Sequence, residues 1–234
     1  MGLTITVFIC IISITNILGE NMGKIKNDIQ AALERDPAAK SKLEVFFLYP
    51  GFKALYRHRR IHWLYMHGFK GLARFLAYRT RRITGVDIHP AAKIGSGVFI
   101  DHATGVVIGE TAEIGNNVTI YQGVTIGGTG KEVGKRHPTI EDNVMIASGA
   151  KVLGPITIGK GSKIGAGSVV LKDVPPFSTV VGVPGRIVKT NGSKIDNLDQ
   201  TKLPDPILDE FKKLNDKIEQ LKKDLEDAKR NKTL

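Results

Sequence analysis

The sequence predicts an α+β protein: a helical segment, then a parallel β-helix of hexapeptide repeats, then a C-terminal amphipathic helix. Three observations carry this expectation. Ile or Val recurs at every sixth residue through the middle of the chain, apolar residues on either side recur at helical spacing, and glycine is in excess, with 26 in 234 residues. A hydrophobic content of 41% argues against disorder, and a glycine excess with only 10 Pro excludes collagen. The lone cysteine, Cys10, excludes an intramolecular disulfide framework and suits a reducing, cytoplasmic setting.

From the N-terminus, Leu3 to Leu18 is an apolar run without charge. It is short of the ~20 residues that a membrane span needs, and it lacks the basic stretch that opens a secretory signal. The first lysine is Lys24, and Met22-Gly23-Lys24 reads as the start of a soluble protein. Residues 1–21 are therefore expected to be an extension ahead of the native start, and no membrane association is expected. Residues 22–84 form the helical segment. Ile25, Ile29 and Leu33 share one stripe and Phe69, Leu72, Phe75 and Leu76 another, while Asp36-Pro37 and Tyr49-Pro50-Gly51 read as breaks. The chain carries 34 basic against 23 acidic residues, a net +11, and nine of the basic residues fall between Gly51 and Arg82 with no acid among them. No nucleic-acid-binding pattern accompanies them, so a solvated helix face is expected there and no nucleic-acid partner.

Residues 85–188 hold the repeat. Ile88, Ile94, Ile100 and Val106 stand six apart; after a two-residue shift come Ile108, Ile114, Ile120 and Ile126; after a longer break come Ile140, Ile146, Val152, Ile158, Ile164 and Val170. Small or β-branched residues precede these anchors by two positions, among them Ala92, Val98, Thr104, Ala112, Val118 and Ala150. Neither an α-helix nor a single amphipathic strand has a period of six. A coil of short parallel strands does, because every sixth side chain then points inward at the same place, with coils stacked ~4.8 Å apart. The period also accounts for Gly154-Pro155-Ile156-Thr157-Ile158-Gly159-Lys160, which resembles a phosphate loop but has Gly161 where Ser or Thr is required.

In a solenoid the regular coils are structural, and chemistry is expected where regularity fails. The short shift follows Asp101-His102-Ala103-Thr104-Gly105. The long break runs from Gly127-Gly128-Thr129-Gly130-Lys131 to Lys135-Arg136-His137-Pro138 and predicts a projecting loop. Asp87 and His102 lie close to one eighteen-residue coil apart, which puts them on neighbouring coils near one edge. A carboxylate on one imidazole nitrogen would fix the tautomer and leave the other as a base; a surface histidine at a bend is the plainer reading of the same spacing. Other chemistries fit worse. Cys10 lies outside the repeat, no Gly-x-Ser-x-Gly elbow occurs, and His58, His62 and His67 lie outside the coils, where an interface role suits them better than a metal. The close histidine pair of hexapeptide carbonic anhydrases is missing.

These motifs resemble the serine O-acetyltransferase family of the hexapeptide-repeat acyltransferases. The resemblance runs from Lys24 to Val188 through Arg35-Asp36-Pro37-Ala38, Asp87-Ile88-His89-Pro90-Ala91-Ala92, Asp101 to Gly105, Val107-Ile108-Gly109-Glu110-Thr111, Gly127 to Lys131, Arg136-His137-Pro138 and Gly182-Val183-Pro184-Gly185-Arg186. It implies an N-terminal helical domain followed by a left-handed parallel β-helix that forms a homotrimer, with active sites between neighbouring β-helices. It implies acetyl transfer from acetyl-CoA to the hydroxyl of L-serine, the first step of bacterial cysteine synthesis, with acetyl-CoA as co-substrate, no metal and no acyl-enzyme. By matching motif positions, His102 is the expected general base and Asp87 its partner. Arg136 and His137 are expected to bind the serine carboxylate, Asp36 and Asp101 its ammonium, and the N–H groups around Gly128 the oxyanion. Ser148 and Lys163 are expected beside coenzyme A. Cysteine, a mimic of serine, is implied as a feedback inhibitor. The competing expectations are an O-acetyltransferase acting on a sugar or xenobiotic hydroxyl, and a scaffold without enzymatic activity.

The helical segment is shorter than the one through which many members pair two trimers, which favours a trimer over a hexamer. Beyond a polar linker at 189–206, Ile207, Phe211, Leu214, Ile218, Leu221, Leu225 and Ala228 alternate steps of four and three. This heptad seam predicts a helix over 207–234 that either packs on the β-helix or forms a three-stranded coiled coil. Many relatives dock a C-terminal Ile into O-acetylserine sulfhydrylase. Here the chain ends Asn231-Lys232-Thr233-Leu234, so that partner is not expected.

Overall fold

The computed structural model describes residues 22–130, 133–189 and 206–231. The apolar extension, nearly all of the linker and residues 232–234 lie outside the described residues. Four helices open the fold: α1 over 22–35, α2 (Lys42–Leu48), α3 (Pro50–Met66) and α4 (Lys70–Thr84). The two expected breaks are where α1 and α2 end. Ser41 caps α2 by accepting the Glu44 N–H at 3.1 Å, and Pro50 opens α3, where its missing N–H leaves no bond unmade. Gly85 ends α4 in the left-handed region, φ 74°, and turns the chain into the first strand.

Three parallel sheets then form the sides of a prism. One holds β1 (Asp87–Ile88), β4 (Val107–Ile108), β7 (Thr125–Gly127), β10 (Lys151–Leu153) and β13 (Val169–Val170). The next holds β2 (Lys93–Ile94), β5 (Glu113–Ile114), β8 (Thr139–Ile140) and β11 (Thr157–Ile158). The last holds β3 (Phe99–Ile100), β6 (Thr119–Ile120), β9 (Met145–Ile146), β12 (Lys163–Ile164) and β14 (Thr179–Val181), closed by the antiparallel β15 (Arg186–Lys189). Lys151 pairs with Val169, one regular eighteen-residue coil. Asp87 pairs with Val107 and Thr125 with Lys151, so the two interruptions are absorbed as longer coils without loss of register.

The aliphatic anchors fill the prism as one buried cluster. Ala92, Val98, Ala112, Val118, Val124, Val144 and Ala150 form a second set of interior positions, none more than 1% exposed. Two sequence expectations shift here. Val106 is buried but precedes β4, in the small-residue slot two positions before Ile108, so it is not a strand anchor. Thr104 is exposed, and Ala103 takes the interior place instead, because the extra residues of this coil are spent at its corner.

A β-helix exposes the unpaired backbone groups of its first coil, an edge that must be covered. The helices do this with side chains. Arg59 donates to the Ile94 and Gly95 carbonyls at 3.4 and 3.0 Å, and Asp28 accepts the Val98 N–H at 3.1 Å. His58 Nε2 bonds the Ala92 carbonyl and His62 Nδ1 the Pro90 carbonyl, at 3.0 and 2.8 Å. Behind them Ala31, Ala32, Val45, Phe52 and Phe99 make a second core, against which Ile25, Ile29 and Leu33 pack as expected.

Two apolar stripes remain uncovered. Phe69 at the N-cap of α4 and Leu72 and Phe75 on it are exposed. On α5 (Pro206–Asn231), Phe211, Leu214, Ile218 and Leu221 are 48 to 61% exposed, so this part of the heptad seam does not pack on the β-helix of its own chain.

Candidate active site

The candidate residues collect at two corners of the prism, on either side of the sheet that contains β1 and β4. One is the corner between β3 and β4. A ladder of main-chain bonds runs along it, from Gly105 N–H to Gly85 O, Gly123 to Thr104, Gly149 to Gln122 and Gly167 to Ser148. Each coil turns here through a glycine at positive φ, but the first coil also puts His102 (φ 54°) and Ala103 (φ 60°) in the left-handed region. Their N–H and C=O groups close two successive tight turns, Ala103 to Asp101 and Thr104 to His102, both at 2.6 Å. Non-glycine residues pay for this conformation, and such strain concentrates at functional sites. The result lifts the His102 side chain into the open while Asp101 Oδ1 accepts the His102 N–H at 2.9 Å.

Asp36 joins this corner from the end of α1. It accepts the Tyr49 hydroxyl at 2.6 Å and the Ala38 N–H at 2.8 Å. Burial raises the Asp101 carboxyl above the usual range; His102 opposes that shift and Asp36 adds to it. Burial and the bond to Asp36 push the Tyr49 phenol far up, which keeps it a proton donor. Ser148 stands two coils further along the same corner, with its hydroxyl on Gln122 at 3.2 Å and its carbonyl bonded to Gly167. Lys163 projects from the adjoining sheet.

The second corner follows β1 and β4. Glu110, Thr111, Arg136 and His137 form one hydrogen-bonded group there. Arg136 donates to Glu110 Oε2 at 2.5 Å, which holds that carboxyl below the usual range. Thr111 meets the His137 ring and both main-chain N–H groups of the Arg136-His137 pair. A cleft of about 740 Å³ opens between this corner and α4, lined by Tyr65, Lys70, Arg74, Arg81, His89 and Asp87 among others. Burial, and then the charge of Arg74, lowers the His89 imidazole. Gly128 lies at the root of the long loop, against the Arg136 carbonyl, and its N–H makes no hydrogen bond among the described residues.

Two placements differ from a simple picture of one assembled site. Asp87 and His102 flank the same corner, but within one chain no hydrogen bond joins them; Asp87 pairs with Arg81 at 3.2 Å instead. The groups expected around one serine are likewise divided, Asp36, Asp101 and His102 at one corner and Arg136 and His137 at the other. The basic run also does more than coat a helix: Arg59 is buried against Asp28, and Lys70, Arg74 and Arg81 line the cleft. Their place in the cleft was not visible in the sequence, where they are only members of a charge run. Glu110 and Thr111 stood inside a recognised motif, but nothing in the spacing showed that they bond to a segment twenty-six residues away. Among the described residues, no helix is long and apolar enough to cross a membrane, and no group of three or more His, Cys, Asp or Glu is placed to hold a metal ion.

Triangular coils of hexapeptide repeats place the chain among the hexapeptide-repeat proteins, and residues 137–172 match the family model for the bacterial transferase hexapeptide (six repeats), which makes the class that of the hexapeptide-repeat acyltransferases. Residues 11–56 match the model for the serine acetyltransferase N-terminal domain. The serine acetyltransferase of Bacillus subtilis (strain 168) is 59% identical over 206 residues, 88% of this chain and 95% of that protein. The crystal structure of Neisseria gonorrhoeae serine acetyltransferase in complex with serine superposes with a TM-score of 0.72 at 49% identity, covering 75% of this chain and 72% of the other. That of the Brucella abortus strain S19 enzyme in complex with coenzyme A gives 0.71 at 51%, covering 73% and 68%. The chain belongs to the serine acetyltransferase family. Its fold is that family's N-terminal helical domain and left-handed parallel β-helix, as the resemblance implied.

Proposed function

We infer that this protein carries out its family's reaction, transfer of the acetyl group of acetyl-CoA to the hydroxyl of L-serine to give O-acetyl-L-serine, with His102 as general base. The observation that carries the assignment is the corner at 101–105, where a strained turn presents an exposed imidazole beside two carboxylates. His102 takes the hydroxyl proton as the serine oxygen attacks the thioester carbonyl. The tetrahedral oxyanion is met by N–H groups at Gly128, and its collapse expels the coenzyme A thiolate, which recovers the proton from the imidazolium. No acyl-enzyme is needed, since attack is direct.

A zwitterionic substrate needs both signs of charge. Asp36 and Asp101 suit the ammonium; Arg136 and His137 suit the carboxylate. Their separation on one chain supports a site completed between neighbouring β-helices, with the first corner of one subunit facing the second corner of the next. Asp87 suits the role of orienting His102. Its pair with Arg81 is exposed on both partners and worth only ~0–1 kcal/mol, so the carboxylate can exchange it for the imidazole. The ladder from His102 to Ser148 offers a line along which coenzyme A can lie, with Lys163 beside it. The exposed seam of α5 supports a homotrimer in which three such helices continue the trimer axis.

A free-thiol assay with acetyl-CoA tests the reading against L-serine, L-homoserine, a galactoside and chloramphenicol. Turnover of L-serine alone or by a wide margin is expected, and preference for a sugar or drug hydroxyl would overturn it. His102→Ala is expected to lower kcat by ~10²–10⁴. Near-normal turnover by that variant would refute the base assignment.

A further inference from the structure

His137 is held in a way that dictates which of its nitrogens carries the proton. The Thr111 N–H lies 3.2 Å from Nδ1 of the ring. A main-chain N–H can only donate, so Nδ1 must offer a lone pair. The Thr111 hydroxyl reaches the same nitrogen at 2.9 Å. Its oxygen already accepts the N–H of Arg136 at 3.0 Å and that of His137 at 3.1 Å. With both lone pairs engaged, the only group it has left to give is its proton, and Nδ1 receives it.

The ring is also confined by shape. A Cβ built on Gly109 would overlap the Cδ2–Nε2 edge of His137, so the imidazole rests against bare backbone and is only 8% exposed. A main-chain N–H also meets a histidine Nδ1 two coils earlier, within a single turn, where the Ala91 N–H donates to Nδ1 of His89 at 3.1 Å. Burial, and after it the charge of Arg136, lowers the His137 imidazole, in keeping with a neutral ring.

We propose that Thr111 is a positioning residue for substrate binding: it locks His137 as the neutral Nε2–H tautomer, so that the ring presents a hydrogen-bond donor, and no lone pair, beside the Arg136 guanidinium. The proposal rests on the reading that Arg136 and His137 receive the substrate carboxylate. The opposite tautomer would turn a lone pair toward the anion and oppose its binding. Glu110 completes the arrangement by holding Arg136, so two consecutive residues of one coil set both arms of the clamp.

The tautomer is read directly in the full-length protein by ¹⁵N NMR with labelled histidine, the His137 signals being those lost in His137→Gln. At neutral pH a pyridine-type Nδ1 and a pyrrole-type Nε2 are expected; a pyrrole-type Nδ1 or an imidazolium overturns the proposal. In kinetics, Thr111→Val is expected to raise the KM for L-serine about tenfold, the scale of one lost hydrogen bond, with kcat and the acetyl-CoA KM nearly unchanged. Thr111→Ser, which keeps the hydroxyl, should restore it. If Arg136→Ala raises the serine KM while Thr111→Val does not, the positioning role fails and the carboxylate reading stands. If Arg136→Ala leaves the serine KM unchanged, the carboxylate reading has failed and the proposal falls with it.

Discussion

Arg59 and Asp28 form a buried ion pair, 2.5 Å apart, with side chains 4% and 1% exposed. Neither charge is satisfied by the other alone. Arg59 also reaches two carbonyls of the first coil, and Asp28 accepts the Val98 N–H, so the pair fastens the helical domain over the open end of the β-helix. Removing one member strands the other charge in a dry site. Asp28→Ala is therefore expected to lower the free energy of unfolding by about 3–5 kcal/mol, read from urea denaturation. A loss below about 1 kcal/mol would show that the helices are held mainly by their apolar contacts.

Beside this pair, His58 is buried and its imidazole is pushed down to about 3, first by burial and then by the neighbouring His62. An unfolded chain takes up that proton near pH 6.5, the folded one only near 3. Between these values the unfolded state binds more protons, so this residue makes stability fall as pH is lowered through that window, by up to ~1.4 kcal/mol per pH unit. His58→Gln keeps a donor for the Ala92 carbonyl but cannot titrate. Its unfolding free energy is expected to change less between pH 7 and pH 5 than that of the parent, and equal slopes would place the acid sensitivity elsewhere.

Gly109 leaves no room for a side chain under His137. Gly109→Ala must displace the ring, and the expected outcome is a rise of about tenfold or more in the serine KM with the acetyl-CoA KM preserved, the signature of damage confined to one substrate's contacts. Steady-state kinetics with each substrate varied in turn distinguishes this from general misfolding, which would lower the active fraction without moving either KM.

The Tyr49 hydroxyl holds Asp36 at 2.6 Å. Tyr49→Phe leaves the packing of the ring in place and frees the carboxylate to turn. A serine KM raised by about three- to tenfold is expected, the scale of one hydrogen bond to a charged group. An unchanged KM would remove Asp36 from the ammonium site or show that Tyr49 does not orient it.

The exposed seam of α5 makes a prediction about assembly. Deleting residues 206–234 is expected to leave the fold of the coils intact while lowering the concentration-dependent thermal stability of the oligomer, measured by light scattering and melting at several protein concentrations. Unchanged oligomer stability would assign the seam another role.

How much of this was readable in advance depends on whether a feature is local. The six-residue period of Ile and Val specified the β-helix because each anchor needs only to face inward, and Asp36-Pro37 and Tyr49-Pro50-Gly51 marked the helix breaks through their own backbone preferences. His102 stood out because it interrupts a period, which is a property of the string of residues. By contrast, the sequence placed Phe69, Leu72 and Phe75 on one helical face but could not tell a core-facing stripe from an uncovered one; three-dimensional packing leaves it bare. Arg59, one of nine cations in a run, became a buried clamp only because α3 lies across the first coil.

The periodicity and the motifs at its breaks, then, were enough to establish the coil, its corners and the candidate residues. Folding alone decided that Thr111 meets His137, that Asp87 turns to Arg81, and that the groups for one substrate divide between two corners. The physical reason is that a repeat is written in nearest-neighbour spacing, whereas hydrogen bonds between coils join residues that the chain separates by most of a coil or more. Their geometry depends on how many residues each corner absorbs and where it puts them.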